Sequence, residues 1–217
     1  TFECQCGHTL FFPNTQCGHC GRAIGYAVEA DAMTSVEAID NNRWQVPTSG
    51  RVSGRIFRKC MNYEQHDVCN WLVPEESDQQ LCASCLLTRI IPDLSQPRHT
   101  LLWSRLEAAK RQMLYGLRRL DLPVINRHDD PQQGLAIDFL ADADSLSEFT
   151  TPLIGKPKVS TGHENGVITI NIAEADDVAR TRMRELMGED YRTLLGHFRH
   201  EVGHYYWARL IDGSDWI

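Results

Sequence analysis

Near the end of the chain runs Gly196-His197-Phe198-Arg199-His200-Glu201-Val202-Gly203-His204-Tyr205-Tyr206-Trp207, with two histidines four residues apart and a glutamate directly after the first. Residues at that separation lie one above the other on a single helix face, so His200 and His204 can offer two imidazoles to one zinc ion. Glu201 is rotated by about 100° from His200. It stands beside a metal held there, placed to take a proton from a zinc-acidified water and return it to a leaving amine. Zinc brings the pKa of such a water to about 7, which suits attack on a peptide carbonyl. His197, three residues before His200 and four before Glu201, is either a further ligand or a partner that hydrogen-bonds Glu201 or lines the cleft. The helix is expected from Tyr191 to about Leu210, with Asp190 as its N-cap. Gly196 and Gly203 fall on one face, a groove where another backbone could approach, and Tyr205, Tyr206 and Trp207 read as core or interface.

All eight cysteines lie before residue 86. They form two quartets, Cys4, Cys6, Cys17 and Cys20, then Cys60, Cys69, Cys82 and Cys85. Paired cysteines flanking tight turns can aim four thiolates at one zinc ion while turn amides donate to the sulfurs. Gly7, Gly18 and Gly21 ease those turns. His66 rivals Cys69 in the second quartet, and His8 and His19 read as turn residues. Four disulfides in a secreted protein are the alternative. The N-terminus lacks a basic-then-apolar leader, however, and thiols in the cytoplasm stay reduced unless metal or catalysis claims them. The module holds few long apolar runs, so metal is expected to supply much of its folding free energy, on the order of 10 kcal/mol or more per site.

Residues 86–100 are punctuated by prolines and read as a connector, separating domains at 1–95 and 96–217. Beyond it, Leu101 to Leu120 has apolar residues at helical spacing. Gly134 to Leu140 reads as a strand, Gly166 to Ala173 as a strand with one buried face, and Val178 to Met187 as a helix. The net charge is −7, and the two halves carry 7 Lys/Arg against 11 Asp/Glu and 15 against 18. Neither half is basic, which weighs against nucleic acid as the main partner. No run approaches the roughly 18 apolar residues of a membrane span. The chain reads as soluble and cytoplasmic, with a peptide or protein as substrate, no membrane partner, and an oligomeric state that the sequence leaves open.

These residues resemble the bacterial zinc-binding metallopeptidases that carry an N-terminal zinc ribbon. The resemblance rests on Phe2-Glu3-Cys4-Gln5-Cys6-Gly7, on Cys69-Asn70-Trp71-Leu72-Val73-Pro74, on Ile91-Pro92-Asp93 and on the run from Gly196 to Trp207. It implies an α+β fold, a double zinc-ribbon module followed by a zincin-like domain. It implies three zinc ions, two structural and one catalytic, with Glu201 as the catalytic base. It also implies a third protein ligand on a later acidic helix. Asp212 and Asp215, 8 and 11 residues past His204, are the only carboxylates after it and either could serve as that ligand; the chain starts at Thr1 and stops 13 residues past His204. The main expectation is a trimmed fragment whose third ligand lies beyond residue 217. The rival expectation is a ribbon that binds protein or nucleic acid, joined to an inactive or incomplete zincin-like domain.

Overall fold

The computed structural model describes residues 1–47, 52–142, 159–177, 180–181 and 193–212. The chain forms two compact units, Thr1–Leu86 and Leu87–Ile217. The first opens with a short hairpin, β1 (Phe2–Glu3) against β2 (Thr9–Leu10), that carries the first cysteine pair. An antiparallel sheet of five strands follows: β3 (Ala23–Ala27), β4 (Ala32–Ala38), β5 (Trp44–Gln45), β6 (Ile56–Lys59) and β7 (Leu72–Pro74), in that order. A bridge between Tyr26 and Trp71 brings the end of the sheet back beside its start. That closure explains Gly25, where an added Cβ would sit 2.5 Å from the Leu72 side chain.

This sheet revises the expectation for the first half. Ala27, Ala30, Val36, Val46, Val52, Phe57 and Leu72 form an apolar core. The unit therefore adds hydrophobic burial to whatever its metals contribute, at roughly 25 cal/mol per Å² of apolar surface removed from water. Short strands of mixed composition hid this core, since β3, β4, β6 and β7 contribute one residue each to the cluster, Ala27, Val36, Phe57 and Leu72. The Asn70 amide donates to the carbonyls of Phe12 (2.6 Å) and Asn14 (3.3 Å), and the Tyr63 hydroxyl donates to Ile24 (3.0 Å) and Thr15 (3.1 Å). These bonds tie the first cysteine knuckle to the sheet.

Among its described residues the second unit has a sheet of four strands, β8 (Thr88–Ile90), β9 (Ala136–Leu140), β10 (Gly162–Glu164) and β11 (Val167–Asn171), in the order β10-β11-β9-β8. β10 runs antiparallel to β11, while the β11–β9 and β9–β8 pairs are parallel. A parallel pair needs a crossover, and helix α2 (His99–Arg119) provides the one between β8 and β9, α1 being the short turn Met61–Glu64 of the first unit. Of the expected stripe, Leu120 lies past the helix end and is exposed, whereas Leu102, Leu106, Met113, Leu114 and Leu117 are buried, joined by Trp103. They share the core with Ile137 and Phe139 of β9, Ile168 and Ile170 of β11, and Phe198, Val202 and Tyr205 of helix α3 (Leu194–Leu210). The architecture is α+β, as expected from sequence. Among the described residues no helix is long and apolar enough to cross a membrane.

The compact units part at Leu86, at the start of the proline-punctuated connector, because Thr88–Ile90 pairs with β9. Helix α3 begins at Leu194, where the Thr193 side chain accepts a hydrogen bond from the Gly196 amide at 2.9 Å. Asp190, the expected cap, lies outside the described residues, as does most of the helix expected over residues 178–187. Finally, an alanine Cβ at Gly203 would meet nothing within 4 Å, so no described backbone packs into the expected glycine groove.

Candidate functional site

Each cysteine quartet is gathered into one cluster whose sulfurs all lie within 4.8 Å of one another. The Cys4–Cys20, Cys6–Cys17 and Cys69–Cys82 sulfurs are each 3.7 Å apart. Four thiolates placed tetrahedrally at about 2.3 Å from zinc would be separated by about 3.8 Å, whereas a disulfide would bring two sulfurs to about 2.05 Å. The donor sets thus fit zinc, not disulfides. Cys69, not His66, completes the second cluster. There the Trp71 amide donates to Cys69 Sγ (3.4 Å) and the Cys82 amide to Cys60 Sγ (3.3 Å). His8 and His19 stack on each other at 5.8 Å and join neither cluster. Burial pushes the Cys4 thiol up to about 12, while the backbone amide of Arg22 holds Cys20 down to about 6. A cation bound among the four sulfurs would favour the thiolate form of all of them.

On α3, His200 and His204 are exposed and stand one turn apart, with their Nε2 atoms 3.1 Å from each other. Two imidazoles bound tetrahedrally to zinc at about 2.05 Å would place these atoms about 3.3 Å apart, so the pair also fits. Glu201 lies on the buried side of the helix, only 5% exposed. His197 Nε2 is 3.3 Å from Glu201 Oε1, and His197 Nδ1 is hydrogen-bonded to Glu174 Oε2. Of the two roles open to His197 in the sequence, the structure places it against Glu201. Among the described residues no third histidine, cysteine or carboxylate joins His200 and His204 within ligand range, and this includes Asp212 at the helix end. Asp215 lies outside the described residues. Tyr205 and Tyr206 are core, but Trp207 is 58% exposed.

Three residues beside this helix went unnoticed in the sequence. Glu174 belongs to a 3₁₀ turn, Ile172–Ala175, that follows β11 directly, and its Oε1 accepts the Thr161 hydroxyl. His163 of β10 sits edge-on to Tyr205 with ring centroids 6.1 Å apart. Burial, aided by His204 and opposed by Glu201, holds the His163 imidazole below its ordinary range. No local pattern marks these three, because each approaches α3 from a distant part of the chain. The strand read over Gly166 to Ala173, β11, is interior and paired on both sides, and the edge beside α3 is β10. A polar cleft of about 620 Å³ borders β10, with Arg89, Arg127 and Asp138 in its wall.

Residues 99–217 match a family model described as "Putative zinc-binding metallo-peptidase", and residues 1–96 match one described as a zinc-ribbon domain. Proteins of Mycobacterium bovis and Mycobacterium tuberculosis, both described as uncharacterized, are 39% identical over 214 residues, covering 98% of this chain and 54% of each relative. The chain thus spans about half the length of the curated relatives it matches. No solved structure matches it significantly.

Proposed function

The chain belongs to the zinc-binding metallo-peptidase family, and from that premise we propose that it hydrolyses peptide bonds at the site on α3. The observation that carries this reading is the convergence of His200 and His204 Nε2 at 3.1 Å with the Glu201 carboxylate one residue along the same helix. When bound, a zinc ion supplies Lewis acidity and an acidified water. His200 and His204 hold the metal. Glu201 takes the proton from the attacking water and delivers it to the departing amine nitrogen. Its burial keeps bulk water from competing for that proton. An extended substrate adds to the edge of β10, next to α3, by strand pairing. The third protein ligand is a carboxylate supplied from outside the described residues.

A second reading has one observation in its favour, the lack of a third ligand beside His200 and His204 among the described residues. In that reading the ribbons bind a protein or nucleic acid and the second unit is catalytically incomplete. A Glu201→Gln variant assayed on an internally quenched peptide library separates the two. Loss of activity by about 10²–10⁴-fold with folding intact supports the peptidase; unchanged cleavage would remove Glu201 from the mechanism. Zinc counted by native mass spectrometry gives three ions per chain for an assembled active site and two for ribbons alone.

A further inference from the structure

Glu201 is a carboxylate in a desolvated position, and a buried charge keeps one geometry only when something holds it. The geometry points to Glu174 and His197 as positioning residues that fix the Glu201 carboxylate beside the His200–His204 pair. The chain of contacts starts at Thr161, just before the edge strand β10. Its hydroxyl donates to Glu174 Oε1 and accepts from the Asn171 amide at 3.0 Å. Glu174 Oε2 engages His197 Nδ1, and His197 Nε2 reaches Glu201 Oε1 at 3.3 Å. An ionised carboxylate can only accept, so a ring bridging Glu174 and Glu201 donates from both nitrogens, and the Nδ1–H bond to Glu174 sets its plane. Nε2–H then donates to one oxygen of Glu201 and leaves the second for the proton it carries during catalysis. Three segments distant in sequence thereby converge on one carboxylate. The side chains of Glu174 and His197 are only 18% and 15% exposed, so the linkage is shielded from competing water.

This inference rests on the peptidase reading, and its test separates the two. In the zinc-loaded full-length protein, Glu201→Gln, His197→Ala, His197→Gln, Glu174→Ala and the Glu174→Ala/His197→Ala pair are compared on the best-cleaved member of the quenched peptide library. His197→Ala should lower kcat by about 10- to 100-fold with KM and zinc content unchanged. Glu174→Ala should give a smaller loss of the same kind, the double variant should be no worse than His197→Ala alone, and His197→Gln should recover part of the rate. Independently of turnover, long-range ¹H–¹⁵N spectra should show both His197 ring nitrogens protonated at pH 7, and a neutral ring averaging over its tautomers in Glu174→Ala. If Glu201→Gln abolishes cleavage while His197→Ala leaves kcat intact, the positioning role is overturned and the peptidase reading stands. If Glu201→Gln has no effect, the peptidase reading fails, and the positioning role fails with it. A wild-type His197 ring that is neutral at pH 7, in either tautomer or a mixture, overturns the linkage whatever the activity.

Discussion

Lys110→Met tests how the second unit is held together. Glu107 and Lys110 of α2 are both 0% exposed, and the ammonium lies 2.8 Å from Glu107 Oε1 and 2.5 Å from the Thr88 hydroxyl. Methionine keeps the length of the stem but removes the charge, leaving Glu107 with the Thr88 hydroxyl (3.1 Å), the Trp103 indole (3.3 Å) and, at its other oxygen, the Arg111 guanidinium at 3.8 Å. Removing one partner of a buried pair typically costs about 3–5 kcal/mol, chiefly because the remaining charge is stranded. Arg111 offsets part of that, so the expected loss is about 3 kcal/mol, or roughly 10 °C in Tm for a unit of this size. The assay is calorimetry of the zinc-loaded protein at pH 7, following the transition of the second unit. The double variant Glu107→Gln/Lys110→Met no longer strands a carboxylate, although Arg111 loses its ion-pair partner, and should be more stable than Lys110→Met by about 1 kcal/mol. A single variant within 1 kcal/mol of wild type, or a double variant that loses the sum of both singles, would refute the reasoning.

Three further outcomes follow from the same coordinates. Cys82→Ser should lower the zinc count by one and abolish cooperative unfolding of the first unit, whereas His66→Ala should leave the count unchanged, since His66 lies outside the cluster; mass spectrometry and circular dichroism read both. Gly134→Ala would drive a Cβ to 2.3 Å from the Asn126 carbonyl and 2.5 Å from that of Asp130, costing about 2 kcal/mol or more in denaturant titration, while Gly116→Ala, with nothing within 4 Å on α2, should stabilise by about 0.5–1 kcal/mol. His163 has a lowered pKa in the folded state, so the unfolded chain binds its proton more readily. Its contribution is complete above the unfolded value of about 6.5, declines as pH falls from there toward the folded value, and is level below that. His163→Gln should remove this component, seen as a smaller loss of stability between pH 7.5 and 5 than wild type shows.

By itself the sequence determined the parts of this protein whose chemistry is encoded in short spacing. Cysteine pairs a few residues apart reach one ion whatever surrounds them, and histidines at i and i+4 share a helix face because the helix repeat is 3.6 residues. The helix His99–Arg119 and the strands Ala136–Leu140 and Val167–Asn171 were legible for the same reason, since period and burial agree locally. Tertiary structure alone decided the rest. It brought Thr161 and Glu174 into line behind His197 and Glu201, placed β11 inside the sheet and β10 at its edge, and buried Lys110 against Glu107. Those outcomes depend on which remote surfaces meet. A carboxylate or an ammonium carries no local sign of the partner that will make its burial tolerable.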